Sequence, residues 1–212
     1  MRTLHLVTGP AASRPALVAA VAAAMAGGAD AVQVREKAAP ALDLLTTCLA
    51  LADALGGGGR VLVNDRADVA LAAGARGVHL AKKSLPAAAV RAIAPRLLIG
   101  VSVHSVEEAR AAARAGADYV TFGSVYPTGS HPGQLPQGLD ALAAVVAAVP
   151  IPVLAIGGIT PANAAALVAT GCAGVAVISA ILDAPNPRAA AGALRRALDA
   201  APGEPRVLFP PL

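Results

Sequence analysis

Short apolar runs rich in Val, Ile and Leu alternate with longer Ala-rich runs from one end of the chain to the other. The β-branched runs predict strands over residues 4–8, 31–35, 60–64, 77–80, 98–102, 119–122, 153–156 and 174–178. The Ala-rich runs predict helices over 15–25, 41–55, 69–73, 86–94, 106–115, 139–148, 162–170 and 187–200. Short strands in strict alternation with helices point to a parallel sheet buried on both faces. Eight such units in one chain point to closure into an α/β (β/α)8 TIM barrel. Residues 1–200 are expected to form that one barrel, and the Pro-rich residues 201–212 a loose tail.

Local signals agree with these boundaries. Gly-Ala-Asp or a close variant precedes several strands, at Gly28-Ala29-Asp30, Gly74-Ala75-Arg76 and Gly116-Ala117-Asp118. Glycine there suits the left-handed residue that ends a helix. Thr160-Pro161 reads as a helix N-cap with proline in the first turn. Ser105 with Glu108 three residues on reads as a capping box. The run Gly56-Gly57-Gly58-Gly59 reads as a flexible surface connection.

Composition narrows the function classes. Hydrophobic residues make up 56 % of the chain and charged residues 14 %, which excludes a disordered protein and supplies one large core. Only 2 % is aromatic, and the Lys and Arg residues are scattered, so the net charge of +4 fits a small anionic ligand and not nucleic acid. The Ala-rich segments are too short to span a membrane. Cys48 and Cys172 read as buried thiols of a reducing compartment, and a cytoplasmic protein is expected. A homo-oligomer is compatible with these features.

In a barrel of this kind chemistry sits at the C-terminal ends of the strands. Polar residues fall there regularly. Gln33, Arg35 and Lys37 follow strand 2 at alternate positions, so all three point the same way. They suit a carboxylate or a phosphate. Asn64 and Asp65 follow strand 3, and Asp65 is a candidate Mg²⁺ ligand. Ser102 and His104 follow strand 5, with His104 read as part of the helix cap, and His79 ends strand 4, where a buried structural role is equally open. The loops after strands 7 and 8 carry Gly157, Gly158, Ile178 and Ser179, where glycines and free N–H groups let a phosphate approach the backbone. A long Gly- and Pro-rich loop runs over 126–137 with Thr128, Ser130 and His131. Long loops in compact domains are often functional, and a histidine suits proton transfer near neutrality, so His131 is the leading catalytic candidate.

The motifs Gln33-Val34-Arg35-Glu36-Lys37, Val63-Asn64-Asp65-Arg66, Gly77-Val78-His79-Leu80, Ile99-Gly100-Val101-Ser102, Val125-Tyr126-Pro127-Thr128, Ala155-Ile156-Gly157-Gly158-Ile159 and Val177-Ile178-Ser179 stand in one order. Over essentially the whole chain they resemble the thiamine phosphate synthase and thiazole tautomerase superfamily. The resemblance implies a phosphate-binding barrel that takes a thiazole phosphate. In its synthase branch it implies a pyrimidine pyrophosphate on Gln33, Arg35, Lys37 and Asn64, with Mg²⁺ held by two carboxylates. The first of these matches Asp65; the second falls at Ser84, flanked by Lys82 and Lys83. The synthase's loop Lys falls at His131, and the tautomerase's His falls at Ser124.

Two enzymatic readings follow. The first is a metal-free thiazole tautomerase that aromatises a carboxythiazole phosphate. Gly158 and Ser179 would hold its phosphate and Arg35 and Lys37 its carboxylate, with His131 and Ser102 as the catalytic pair. The second is a thiamine phosphate synthase with Mg²⁺ on Asp65. A non-catalytic phosphate-ligand sensor on the same scaffold is the alternative from another class. A Schiff-base aldolase is disfavoured, because Lys37, Lys82 and Lys83 all sit in loops.

Overall fold

A computed structural model describes the chain except for residues 10, 12, 130–132, 134, 203–207 and 209–212. Eight parallel strands close into a barrel in sequence order, with β8 pairing back onto β1. The strands are β1 (Thr3–Val7), β2 (Ala31–Val34), β3 (Val61–Asn64), β4 (Gly77–Leu80), β5 (Leu98–Val103), β6 (Tyr119–Phe122), β7 (Val153–Ile156) and β8 (Gly174–Val177). Each alternates side chains between two buried environments. Val32, Val61, Val63, Val78, Val120 and Val153 face the surrounding helices in the larger core cluster. Ala31, Leu62, Tyr119, Leu154 and Ala173 form a second, inner cluster. Burial on both sides is why the strands read as continuous apolar runs.

The outer ring comprises α1 (Arg14–Ala26), α2 (Ala41–Ala54), α3 (Ala67–Ala72), α4 (Ala87–Ile93), α5 (Val106–Arg114), α6 (Gly138–Ala148), α7 (Ala164–Ala169), α8 (Ser179–Leu182) and α9 (Pro187–Ala200). Side-chain caps fix several starts. Ser13 caps α1 ahead of Pro15, and Asn186 caps α9 ahead of Pro187. Ser105 accepts from the Glu108 N–H as expected, while the Glu108 carboxylate reaches the N–H of His104. No helix among the described residues is long and apolar enough to cross a membrane.

The Gly-Ala-Asp repeats do two jobs. Gly28 and Gly116 adopt φ of 106° and 87°, which ends α1 and α5. The aspartates then accept a backbone N–H from the preceding strand: Asp30 from Leu4 at 2.7 Å and Asp118 from Ile99 at 2.6 Å. Each is paired with an arginine, Asp30 with Arg195 at 3.3 Å and Asp118 with Arg91 at 2.6 Å. The repeat therefore stitches neighbouring strands at the end of the barrel away from the candidate chemistry.

Three local expectations need correction. Residues Gly58–Arg60 form a 3-10 turn instead of a flexible connection, because the Gly58 carbonyl accepts from the Arg76 N–H. Thr160 does not cap α7, which begins at Ala164 with Asn163 at its cap position. The four-residue α8 follows β8 as a ninth helix among the described residues, too short to show helical periodicity. In the segment expected as a tail, Ala201 and Leu208 are buried, and the Arg2 guanidinium donates to the carbonyls of Ala201 and Pro202.

Candidate active site

A cavity of about 640 Å³ opens at the C-terminal ends of the strands. It receives Gln33, Arg35, Lys37, Asn64, Asp65, Ser102, Thr128, Gly157, Gly158, Ile178 and Ser179. The structure thus gathers the sequence candidates into one pocket, with two exceptions. Ser130 and His131 lie outside the described residues.

One wall comes from β2, β3 and β4. The Gln33 amide donates to Asn64 Oδ1 at 2.8 Å, and Asn64 Nδ2 donates to Asp65 Oδ2 at 2.6 Å. The other Asp65 oxygen accepts from the Ala81 N–H at 3.2 Å and from the Ser84 hydroxyl. Asp65 sits at φ 64°, a left-handed conformation in which Asp is among the few tolerated residues. Its backbone N–H is tied to the His79 carbonyl at 2.9 Å. The carboxylate is therefore held in place by three donors. Lys82, exposed on the β4–α4 loop, lines the same cavity. Arg35, Lys37 and Lys82 against Asp65 give this wall a positive excess suited to a polyanion.

The opposite wall is built for close approach of an anion. Gly157 and Gly158 adopt φ of 100° and 66°. A Cβ on Gly157 would lie 2.7 Å from Ser124 Cβ, and one on Gly158 would lie 2.4 Å from the Pro127 carbonyl. Asn163 fixes this loop from behind: its amide donates to the Gly158 carbonyl at 3.0 Å and accepts from the Thr160 N–H at 2.9 Å. Ile178, Ser179 and Ala180 bring the first turn of α8 to the same spot. First-turn N–H groups have no acceptor within their own helix.

Between the walls lie the ends of β5 and β6. Nδ1 of His104 is 2.7 Å from the Gly123 carbonyl, which also accepts from the Gln137 amide at 2.9 Å. A carbonyl only accepts, so Nδ1 of His104 carries the proton. His104 thus lends its backbone to the cap of α5 and its ring to the cavity. Below, His79 is buried between Ser102 and Tyr119, and burial followed by the nearby Arg35 charge lowers its pKa to about 3. His79 is neutral at physiological pH.

Sequence reasoning left Thr121, Asn163 and Gln137 without a role at the site and had Lys82 only as a neighbour of the missing carboxylate. Thr121 was legible in principle, being two residues from Tyr119 on an alternating strand. Asn163 and Gln137 act through bonds to loop carbonyls, for which a sequence carries no periodic signal.

The family model described as Thiamine monophosphate synthase matches residues 4–181. A thiamine-phosphate synthase of Roseiflexus castenholzii is 48 % identical over 191 residues, covering 87 % of this chain and 82 % of its own length. One of Methanoculleus marisnigri is 48 % identical over 186 residues, covering 86 % and 88 %. Among solved structures, thiamine phosphate pyrophosphorylase from Pyrococcus furiosus superposes with a TM-score of 0.82 at 39 % identity, over 93 % of this chain and 95 % of that one. These relatives favour the second enzymatic reading, the synthase, over the tautomerase that stood first in the sequence analysis.

Proposed function

The chain belongs to the thiamine monophosphate synthase family, and we propose from its site that it is a thiamine phosphate synthase. In that reaction a pyrimidine pyrophosphate and a thiazole phosphate are joined, and pyrophosphate is released. The single observation that carries the reading is the hydrogen-bonded series Gln33–Asn64–Asp65, set beside Arg35 and Lys37 in one cavity and facing the Gly157–Gly158 loop. Two anion-binding walls across one cavity suit two phosphorylated substrates.

In this reading Arg35 and Lys37 bind the pyrophosphate, and Gln33 and Asn64 orient it. Gly157, Gly158, Ile178 and Ser179 hold the thiazole phosphate through backbone N–H groups, with Thr128 at the edge. A bond forms from the thiazole nitrogen to the pyrimidine's methylene carbon as the bond from that carbon to the pyrophosphate oxygen breaks. The charge left on the pyrophosphate is met by the cations of the β2–β4 wall, Arg35, Lys37 and Lys82.

Mg²⁺ fits the donor set. Among the described residues no group of three His, Cys, Asp or Glu side chains could enclose a metal. Mg²⁺ needs no such enclosure, since one or two carboxylates with phosphate oxygens and water suffice. Asp65, oriented by Asn64, Ala81 and Ser84, would be the protein ligand. When bound, the ion would neutralise pyrophosphate charge. The tautomerase reading depended on the depleted carboxylate at Ser84, but that serine is a direct partner of the remaining carboxylate. Its proton carrier, His131, lies outside the described residues.

A paired assay tests the proposal. One arm supplies both synthase substrates with Mg²⁺ and follows pyrophosphate release. The other supplies the non-aromatic carboxythiazole phosphate with EDTA and follows aromatisation by ultraviolet absorbance. Turnover in the first arm is expected; turnover confined to the second would replace the synthase with the tautomerase.

A further inference from the structure

At the cavity floor a row of polar side chains crosses three strands. The Tyr119 hydroxyl on β6 is 3.1 Å from Nδ1 of His79 on β4. Nε2 of His79 is 2.9 Å from Oγ of Ser102 on β5, and both side chains line the cavity. Thr121 Oγ1 stands 3.3 Å from the same Nε2 and 3.4 Å from Ser102 Oγ. Tyr119 belongs to the inner cluster of the barrel and is fully buried. The row exists because position 100 is glycine: a Cβ there would lie 2.4 Å from the Tyr119 hydroxyl and 2.5 Å from His79 Nδ1.

The direction of each proton can be worked out. Burial keeps the phenol protonated, raising the Tyr119 pKa. A buried O–H needs an acceptor. Among the described residues, the hydrogen-bond partner of the Tyr119 hydroxyl is His79 Nδ1. The phenol, a better donor than acceptor, therefore donates to Nδ1. That leaves the imidazole proton on Nε2, with Ser102 Oγ in reach. Ser102 Oγ then accepts from His79, and Thr121 donates to it as well. Its own hydroxyl proton is left for the cavity.

We propose that Tyr119 and His79 are positioning residues that make Ser102 a hydrogen-bond donor to the bound substrate. The series runs Tyr119 O–H to His79 Nδ1, His79 Nε2–H to Ser102 Oγ, and Ser102 O–H to an acceptor atom of the ligand. Each bond polarises the next, most strongly where Tyr119 and His79 are buried. Neither Tyr119 nor His79 exchanges a proton with substrate. The relay deepens the synthase reading and rests on it for the identity of the ligand.

Two measurements test it. The first is the ¹⁵N spectrum of histidine-labelled, ligand-free protein, which needs neither a variant nor a substrate. A protonated Nε2 with a bare Nδ1 on His79 is expected; the opposite tautomer overturns the relay. The second is a double-mutant cycle on kcat/KM for pyrophosphate release, using Tyr119→Phe and Ser102→Ala. Tyr119→Phe is expected to lower kcat/KM by about 3- to 10-fold in the parent enzyme, the range of one hydrogen bond, and by less than about 2-fold when Ser102 is already alanine. The drop in Tm should be the same in both backgrounds. An equal loss of kcat/KM in both would make Tyr119 merely structural and overturn the proposal. Absence of pyrophosphate release from the parent enzyme would reject the synthase reading instead, with the tautomer spectrum still deciding the relay.

Discussion

Glycine 158 shows how a single position can set ligand affinity. At φ 66° a side chain is strained by about 1–2 kcal/mol, and its Cβ would lie 2.4 Å from the Pro127 carbonyl, which is backbone and cannot swing aside. Gly158→Ala is therefore expected to force the Gly157–Gly158 loop and the Tyr126–Pro127 backbone apart. KM for the thiazole phosphate should rise at least about 10-fold, equivalent to one lost charge-assisted hydrogen bond, while KM for the pyrimidine pyrophosphate stays near its parent value. Steady-state kinetics with each substrate varied in turn checks this, and an equal rise in both constants would remove the thiazole phosphate from that loop. Lys82 makes the contrast. It is exposed, so its pull on a polyanion is worth only about 0.2–1 kcal/mol and is screened by salt. Lys82→Ala should raise KM for the pyrophosphate substrate about 1.5- to 5-fold at low ionic strength, an effect that fades near 1 M salt. A salt-independent rise would mean that Lys82 is held against the substrate more tightly than its exposure implies.

Loops between elements depend on bonds that leave no periodic mark in a sequence. Asn163 is the clearest case: one side chain bonds to both the Gly158 carbonyl and the Thr160 N–H. Asn163→Ala removes two hydrogen bonds, which should cost about 1–2 kcal/mol of stability in a denaturant titration. It should also raise KM for the thiazole phosphate several-fold, and stability loss with unchanged KM would mean that the loop holds its shape unaided. The strands, by contrast, were legible to within a residue or so, because burial on both faces imposes a run of apolar residues bounded by turns. Gln33 was legible for the same reason; Arg35 and Lys37 line the same cavity, but β2 ends at Val34 and Lys37 lies in a turn, so the expected strand alternation does not account for them. Thr160-Pro161 misled because it has the composition of a cap, whereas Asn163 makes the bonds. The α8 helix was too short for any period to emerge. His104 was half legible: its neighbour Ser105 caps α5 as expected, but the reach of its ring to Gly123 joins the ends of two consecutive strands, a tertiary contact with no local signal.

At the scale of the whole barrel, two buried histidines interrupt an otherwise largely apolar interior. His5 and His79 both flank Tyr119, with ring centroids 6.1 Å and 5.6 Å from it. Burial, and then the charge each would feel from His79 or Arg35, lowers both pKa values to about 3. Unfolded, each imidazole would titrate near 6.5. Between about pH 6.5 and 3 the unfolded chain therefore binds two protons that the folded barrel refuses, so folding stability is full above pH 6.5 and falls as pH drops. Two protons at about 1.4 kcal/mol per pH unit each give a limiting slope of about 2–3 kcal/mol per unit. Asp30 works in the opposite sense: burial raises its pKa, so the folded state binds its proton more readily and softens the slope near pH 4. Urea midpoints measured from pH 8 to pH 4 should be level to about pH 6.5 and then decline steeply. Replacing His5 with Gln should roughly halve the decline by removing one of the two refused protons. A midpoint that stays level down to pH 5 would mean that both imidazoles accept their protons inside the folded barrel. The neutral, fixed tautomer on which the Tyr119–His79–Ser102 series depends would then fail with it.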